Sequence, residues 1–127
     1  MAEVHNYPGE VEITGEADPK VVTAHRLIDF YNEQNADGYV SLMTDDVCEM
    51  MYRGDVLRDG REGVRSGLTT MFAQYPKNRA EILATHLLGQ TVVLYEKVSR
   101  APDGEQFYVL TIYSFSGDKV ERVEFIR

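Results

Sequence analysis

The sequence predicts an α+β domain in which about three N-terminal helices cover one face of a curved, mostly antiparallel sheet. Three observations carry that expectation. Apolar residues recur at helical spacing in three segments, all before Pro76. From Arg79 onward the period changes to two, with turn residues at Gly89-Gln90, Pro102-Asp103-Gly104 and Gly117-Asp118. The chain has 127 residues, 43% of them apolar and 27% charged, which suits one ordinary core and excludes two. The expected division is an acidic tail or edge strand over 1–17 and a single domain over 18–127.

The elements follow in order. Tyr7-Pro8-Gly9 reads as a turn, and Val11 and Ile13 alternate with acids as in a short edge strand. Asp18-Pro19 supplies an N-cap acceptor and then a proline at the first helical position, where its missing N–H costs nothing. Val21, Ala24, Leu27, Ile28 and Tyr31 form the apolar stripe of that helix; His25, Asp29, Asn32 and Glu33 form its polar side, with His25 and Asp29 as a solvated couple. Asn35 to Gly38 interrupts the pattern, and Tyr39, Val40, Leu42 and Met43 predict a short second helix ending at Thr44-Asp45-Asp46. Val47 to Tyr52 is a strand, and Val56 to Arg58 returns as a hairpin. Glu62 to Tyr75 is a third helix, with Val64, Leu68, Met71 and Phe72 on one side and Pro76 as its stop. A four-strand antiparallel meander completes the chain.

Charge and cysteine usage narrow the function. Twenty-one acidic residues against thirteen basic ones give a net charge of −8, which repels phosphate backbones and makes nucleic acid an unexpected partner. Half of the excess lies in the first twenty residues. The single cysteine, Cys48, forbids an internal disulfide and suits a reducing compartment. The first residues lack a basic segment and an apolar run, and no stretch approaches the roughly 18 apolar residues of a membrane span, so a cytoplasmic location without membrane contact is expected. No phosphate-binding loop, nucleophile elbow, calcium loop or zinc spacing is present, and no cofactor or metal is expected.

Three stretches carry a resemblance. Tyr39 to Val47, with its two aspartates before a strand, Arg58-Asp59-Gly60-Arg61-Glu62-Gly63-Val64 at the start of a helix, and Gly117-Asp118-Lys119 before a final strand together resemble the NTF2-like superfamily. Its SnoaL-like and ketosteroid-isomerase-like branches are most similar. The resemblance spans Lys20 to the C-terminus. It implies a cystatin-like cone with an internal pocket between the helices and the concave sheet, commonly in a homodimer formed through the outer sheet face.

The isomerase chemistry does not transfer. That branch works with an aspartate base and an oxyanion hole of a tyrosine and a protonated aspartic acid. The aligned positions here are Met51, Leu27 and, more loosely, Thr111, so no base and no matching donors are present.

Other residues offer replacements. Glu49 lies two residues before Met51 on the same strand face, where an apolar pocket would raise its pKa; alternatively Cys48, Met50 and Tyr52 form the buried face and Glu49 meets water. His86 falls with Ala80, Ile82, Ala84 and Leu88 on the drier face of its strand, either as a proton shuttle or as a hydrogen-bonded core or interface histidine. Phe107, Val109, Thr111, Tyr113 and Phe115 share a face that either paves the pocket, with two hydroxyls to orient a ligand, or simply packs. Tyr31, one turn after Leu27, is the nearest helical hydroxyl. Arg53, Arg58, Arg61 and Arg65 cluster as a steering group for an anion or as a solvated rim beside Asp55, Asp59 and Glu62.

The expected function is the binding of a small, largely apolar organic molecule, with isomerase, dehydratase or hydrolase chemistry of the acid/base kind open to it. Glu49 is then the acid or base, and His86 or Tyr113 polarises the substrate; Leu27, Tyr31, Met51, Phe107, Val109, Thr111 and Phe115 line the pocket. The competing class is a noncatalytic dimeric interaction or accessory module. A hollow of roughly 300 Å³ or more with Glu49 or His86 on its wall suits the first; an interior plugged by Met51, Phe107 and Phe115 suits the second. The apolar outer positions Tyr108, Leu110 and Ile112 predict the homodimer.

Overall fold

A computed structural model describes residues 12–13, 15 and 17–127. The tail over 1–17 therefore lies mostly outside the described residues; within it, β1 (Glu12–Ile13) runs parallel to β4. The remaining order is α1 (Pro19–Asn32), α2 (Ala36–Ser41), β2 (Met43–Met51), β3 (Val56–Asp59), α3 (Gly60–Gln74), β4 (Arg79–Leu88), β5 (Thr91–Ser99), β6 (Gln106–Ser116) and β7 (Lys119–Ile126).

These strands make one seven-stranded sheet in the order β1-β4-β5-β6-β7-β2-β3. Only the β1/β4 and β2/β7 pairs are parallel. The three helices pack against this curved sheet. Extra residues in β2, β3, β4 and β7 interrupt the pairing and bend and twist those strands, which suits a sheet that must wrap a core. That core joins Val21, Ala24, Leu27 and Ile28 of α1 to Val64, Leu68 and Phe72 of α3 and to the inner residues of the sheet.

The local signals act as expected at both ends of the first helix segment. The Asp18 side chain accepts from Lys20 N at 2.8 Å, and Asn35 caps α2 by accepting from Gly38 N at 2.8 Å. Two local expectations are corrected. The second helix ends at Ser41, and Thr44 to Asp46 already belong to β2, because pairing of Met43 with Val120 of β7 starts the strand early. His25 does not form a solvated couple with Asp29: its Nε2 lies 2.9 Å from the Thr85 hydroxyl of β4. Asn32, on the same side, clamps α1 to β4 by donating to Ala80 O at 2.9 Å and accepting from Ala80 N at 2.7 Å.

The β4 irregularity matters most for the site. Ile82 pairs with Glu96, but Ala84 pairs with Tyr95, so Leu83 is an extra residue and the inward set changes parity. Ala80 and Ile82 face the core, then Thr85 and Leu87 do. His86 is consequently opposite Val93 on the outer side of the sheet, and the sequence expectation of a drier face through Ala84, His86 and Leu88 is overturned. Among the described residues no helix is long and apolar enough to cross a membrane.

Candidate functional site

A cavity of about 160 Å³ lies between the helices and the inner face of the sheet. Tyr31 of α1, Tyr39 of α2, and Leu68 and Met71 of α3 form its helical side; Glu96, Val98, Phe107, Val109, Thr111 and Tyr113 form its sheet side. Met51, Arg58, Arg100, Phe125 and Arg127 contribute at the ends of strands. The size is below the roughly 300 Å³ expected from sequence and close to the roughly 150 Å³ that accommodates a benzene ring. A larger depression of about 680 Å³ between α1 and the Arg79 end of β4 is an open groove with mixed charge from Asp29, Lys77, Arg79, Glu81 and Lys97.

Glu96 is the chemically distinctive wall residue. It belongs to the inward set Val92, Leu94, Glu96 and Val98 of β5 and is only 4% exposed. One side of its carboxyl is hydrogen-bonded to Thr111 of β6, whereas Oε2 is buried without a partner. Burial disfavours its charged form and pushes its pKa up to about 7, with the Thr111 bond opposing the shift. Near neutral pH this group can therefore both give and accept a proton. A buried glutamate on the wall of an apolar hollow with one oxygen unpartnered is an unusual placement, since such atoms normally find partners.

Glu49 is buried as well but differs in its partners. It is 0% exposed, on the inward face with Val47, so the orientation toward water is overturned. Arg58 of β3 donates from Nη1 to Glu49 Oε1 at 2.7 Å, and the Tyr39 hydroxyl donates to Oε2 at 3.4 Å. Burial raises the Glu49 pKa, and the charge and hydrogen bond of Arg58, then the bond from Tyr39, pull it back. The wall of the cavity is made by Tyr39 and Arg58 rather than by Glu49 itself. Gly67 of α3 permits this arrangement: a Cβ there would lie 2.7 Å from Arg58 Cδ, in the path of the arginine stem.

Three phenols surround these carboxyls. Burial, first of all, keeps the Tyr113 and Tyr39 hydroxyls well above their usual range, and the charges of Glu49 and Glu96 add to it. Tyr31 is raised by burial as well, against bonds from Asn78 and Arg100. All three stay protonated, and the single proton of Tyr39 is already given to Glu49. Asn78, itself buried, donates to the Tyr31 hydroxyl at 2.6 Å and accepts from Arg100 Nη1 at 2.9 Å, tying α1 to the turn after β5.

Of the residues singled out from sequence, Tyr31, Met51, Phe107, Val109, Thr111 and Tyr113 are on the cavity wall. Leu27 and Phe115 are corrections: each shares the expected face but packs in the core away from the hollow. His86 is removed from the site by the β4 bulge. The arginine cluster separates, with Arg58 turned to Glu49 while Arg61 and Arg65 engage Asp45, Asp37 and Glu62 at the surface. Sequence reasoning missed Glu96, Arg100 and Asn78. The strict alternation Val92, Leu94, Glu96, Val98 is a signal that finds Glu96; nothing local marks the other two. No cluster of three or more His, Cys, Asp or Glu suited to a metal occurs among the described residues.

Comparison with known proteins bears on this geometry. The profile of the SnoaL-like domain family matches residues 24–123. No curated protein matches the sequence. Among solved structures, an uncharacterised cystatin-fold protein from Novosphingobium aromaticivorans is 52% identical, with a TM-score of 0.81 over 85% of this chain and 97% of that one. A SnoaL-like polyketide cyclase from Jannaschia superposes with a TM-score of 0.71 at 16% identity, covering 85% of this chain and 84% of its own. A protein with a ketosteroid isomerase-like fold from Catenulispora acidiphila, in complex with trimethylamine, gives 0.71 at 14% identity, covering 83% and 84%. At such identities the last two establish the shared fold alone.

Proposed function

This chain belongs to the SnoaL-like domain family of the NTF2-like superfamily, and from that premise we propose that its cavity binds a small, largely apolar organic molecule and moves a proton on it. The observation that carries the reading is Glu96, a buried carboxyl on the cavity wall with one oxygen unpartnered. Glu96 is the acid or base. Tyr113, held protonated on the cavity wall, is the group to donate to a carbonyl or hydroxyl oxygen on which charge develops. Glu49 acts one step removed, anchoring Arg58 and Tyr39 on the wall. Isomerisation, dehydration and hydrolysis all fit this proton chemistry, and the absent isomerase residues leave Glu96 to supply the base.

Cyclohexanone, comparable in size to the cavity, tests the proposal. The full-length protein should bind it, with shifts in the Met51 and Met71 methyl resonances. It should also accelerate exchange of the ketone's α-hydrogens for solvent deuterium, and Glu96→Gln should slow that exchange on the order of 10²- to 10⁴-fold. Unaltered exchange in Glu96→Gln, with the ketone bound, would remove Glu96 from the chemistry.

The modest volume, with Met51 and Phe107 on the wall, favours a second reading in which the domain is a noncatalytic dimeric module. Failure of every small probe to enter the cavity would select it. Both readings include a homodimer. The outer face of β5 and β6 exposes Tyr95 and Tyr108, stacked with ring centroids 5.9 Å apart, beside half-buried Leu110 and Ile112. Light scattering at micromolar concentration should give twice the chain mass, and a monomer would refute the pairing.

A further inference from the structure

The cavity wall holds three arginines, and their charges are not equally compensated. Arg58 pairs with Glu49 at 2.7 Å and Arg127 with Glu105 at 3.5 Å. Among the described residues Arg100 meets no carboxylate: its Nη1 donates to Asn78 Oδ1 at 2.9 Å and lies 3.4 Å from Met71 Sδ, and the group also bonds the Tyr31 hydroxyl. A half-buried guanidinium kept from every acid is exceptional in a chain of net charge −8.

Its position is fixed from several sides. The guanidinium carbon lies 5.1 Å from the Tyr75 ring centroid and 4.9 Å from that of Phe107, and Asn78 holds it in line with Tyr31. Arg127 approaches the same Phe107 ring to 3.5 Å, which adds a second positive group at that end of the hollow. The neutral contacts use only part of the five N–H donors of Arg100, whose planar fork matches a carboxylate.

We infer that the ligand is a small monocarboxylate, its apolar body about the size of a benzene ring in the hollow and its carboxylate paired with Arg100 at the Phe107 end. One uncompensated guanidinium matches one negative charge. The apolar body then lies along Val109 and Thr111, within reach of Glu96. This inference rests on the reading of the cavity as a ligand site and adds to it the charge of the ligand and the residue that recognises it.

Benzoate and its neutral near-isostere benzamide separate the two ideas. Calorimetric titration of the full-length protein should show benzoate binding at least tenfold more tightly than benzamide. Arg100→Met should abolish that preference by weakening benzoate binding at least tenfold more than benzamide binding, and Arg100→Lys should retain part of it. Equal binding of both probes to the unaltered protein overturns the carboxylate assignment and leaves the cavity reading intact. Binding of neither overturns both. Should Arg100→Met fail to fold, the preference measured on the unaltered protein decides the matter.

Discussion

Two buried carboxyls sit on the same inner face of the sheet and illustrate opposite uses of burial. Glu49, in β2, is enclosed by Arg58 and Tyr39, which engage both of its oxygens. Glu96, in the middle of β5, has Thr111 on one side and nothing on Oε2. Desolvation acts on both. Where a guanidinium opposes it, the carboxylate becomes a structural anchor whose partner is the exposed member of the pair. Where only a hydroxyl opposes it, the group is left near the midpoint of its titration, which suits proton transfer. The lesson is that burial by itself does not set a carboxyl's protonation; whether a charged partner opposes the desolvation does.

The sharpest way to break the contrast is to strip Glu49 of its partner. Arg58→Met should cost about 3 to 5 kcal/mol in urea unfolding at pH 7, because it leaves a charge buried without compensation. A loss below about 1 kcal/mol would mean that Tyr39 alone suffices and that the two sites are more alike than their contacts imply.

Next comes the pH dependence of stability. The Glu96 carboxyl titrates at about 7 in the folded chain and near 4.5 when unfolded, so its stabilising effect is complete below pH 4.5. That effect is lost as pH rises through 7, by about 3 kcal/mol at full ionisation. Glu96→Gln should flatten this fall between pH 4.5 and 7.5, measured by unfolding at a series of pH values. An unchanged slope would show that Glu96 is already paired when ionised.

The smallest effect probes how Arg58 is held. Gly67→Ala should gain about 1 kcal/mol from helix propensity but lose about 2 through crowding of the Arg58 stem, a net loss of about 1. In the Arg58→Met background the crowding eases and the same substitution should stabilise. Equal effects in both backgrounds would dissociate Gly67 from the anchor.

Much of this architecture is legible from local signals. Asp18-Pro19, the stripe from Val21 to Tyr31, the Pro76 stop and the glycine turns each specify a boundary or a face through interactions within a few residues. The period-two set Phe107 to Phe115 likewise assigns its inner face correctly, because β6 stays regular from Phe107 to Tyr113. Glu49 was readable only as one of two orientations, since alternation says which residues share a face and not which face is dry.

What the tertiary structure alone decided has one common cause: contacts between residues distant in sequence. Pairing with β7 converts Thr44 to Asp46 into strand, and one extra residue at Leu83 sends His86 to the outer surface. Leu27 and Phe115 obey the expected periodicity yet pack beside the hollow rather than around it. Arg100, Asn78 and Tyr31, drawn from three separate stretches, meet at one end of the cavity with no local pattern to announce it. Periodicity and capping act over a few residues and so can be read along the chain; the partner of a buried charge is chosen across the sheet, after the strands have found their register.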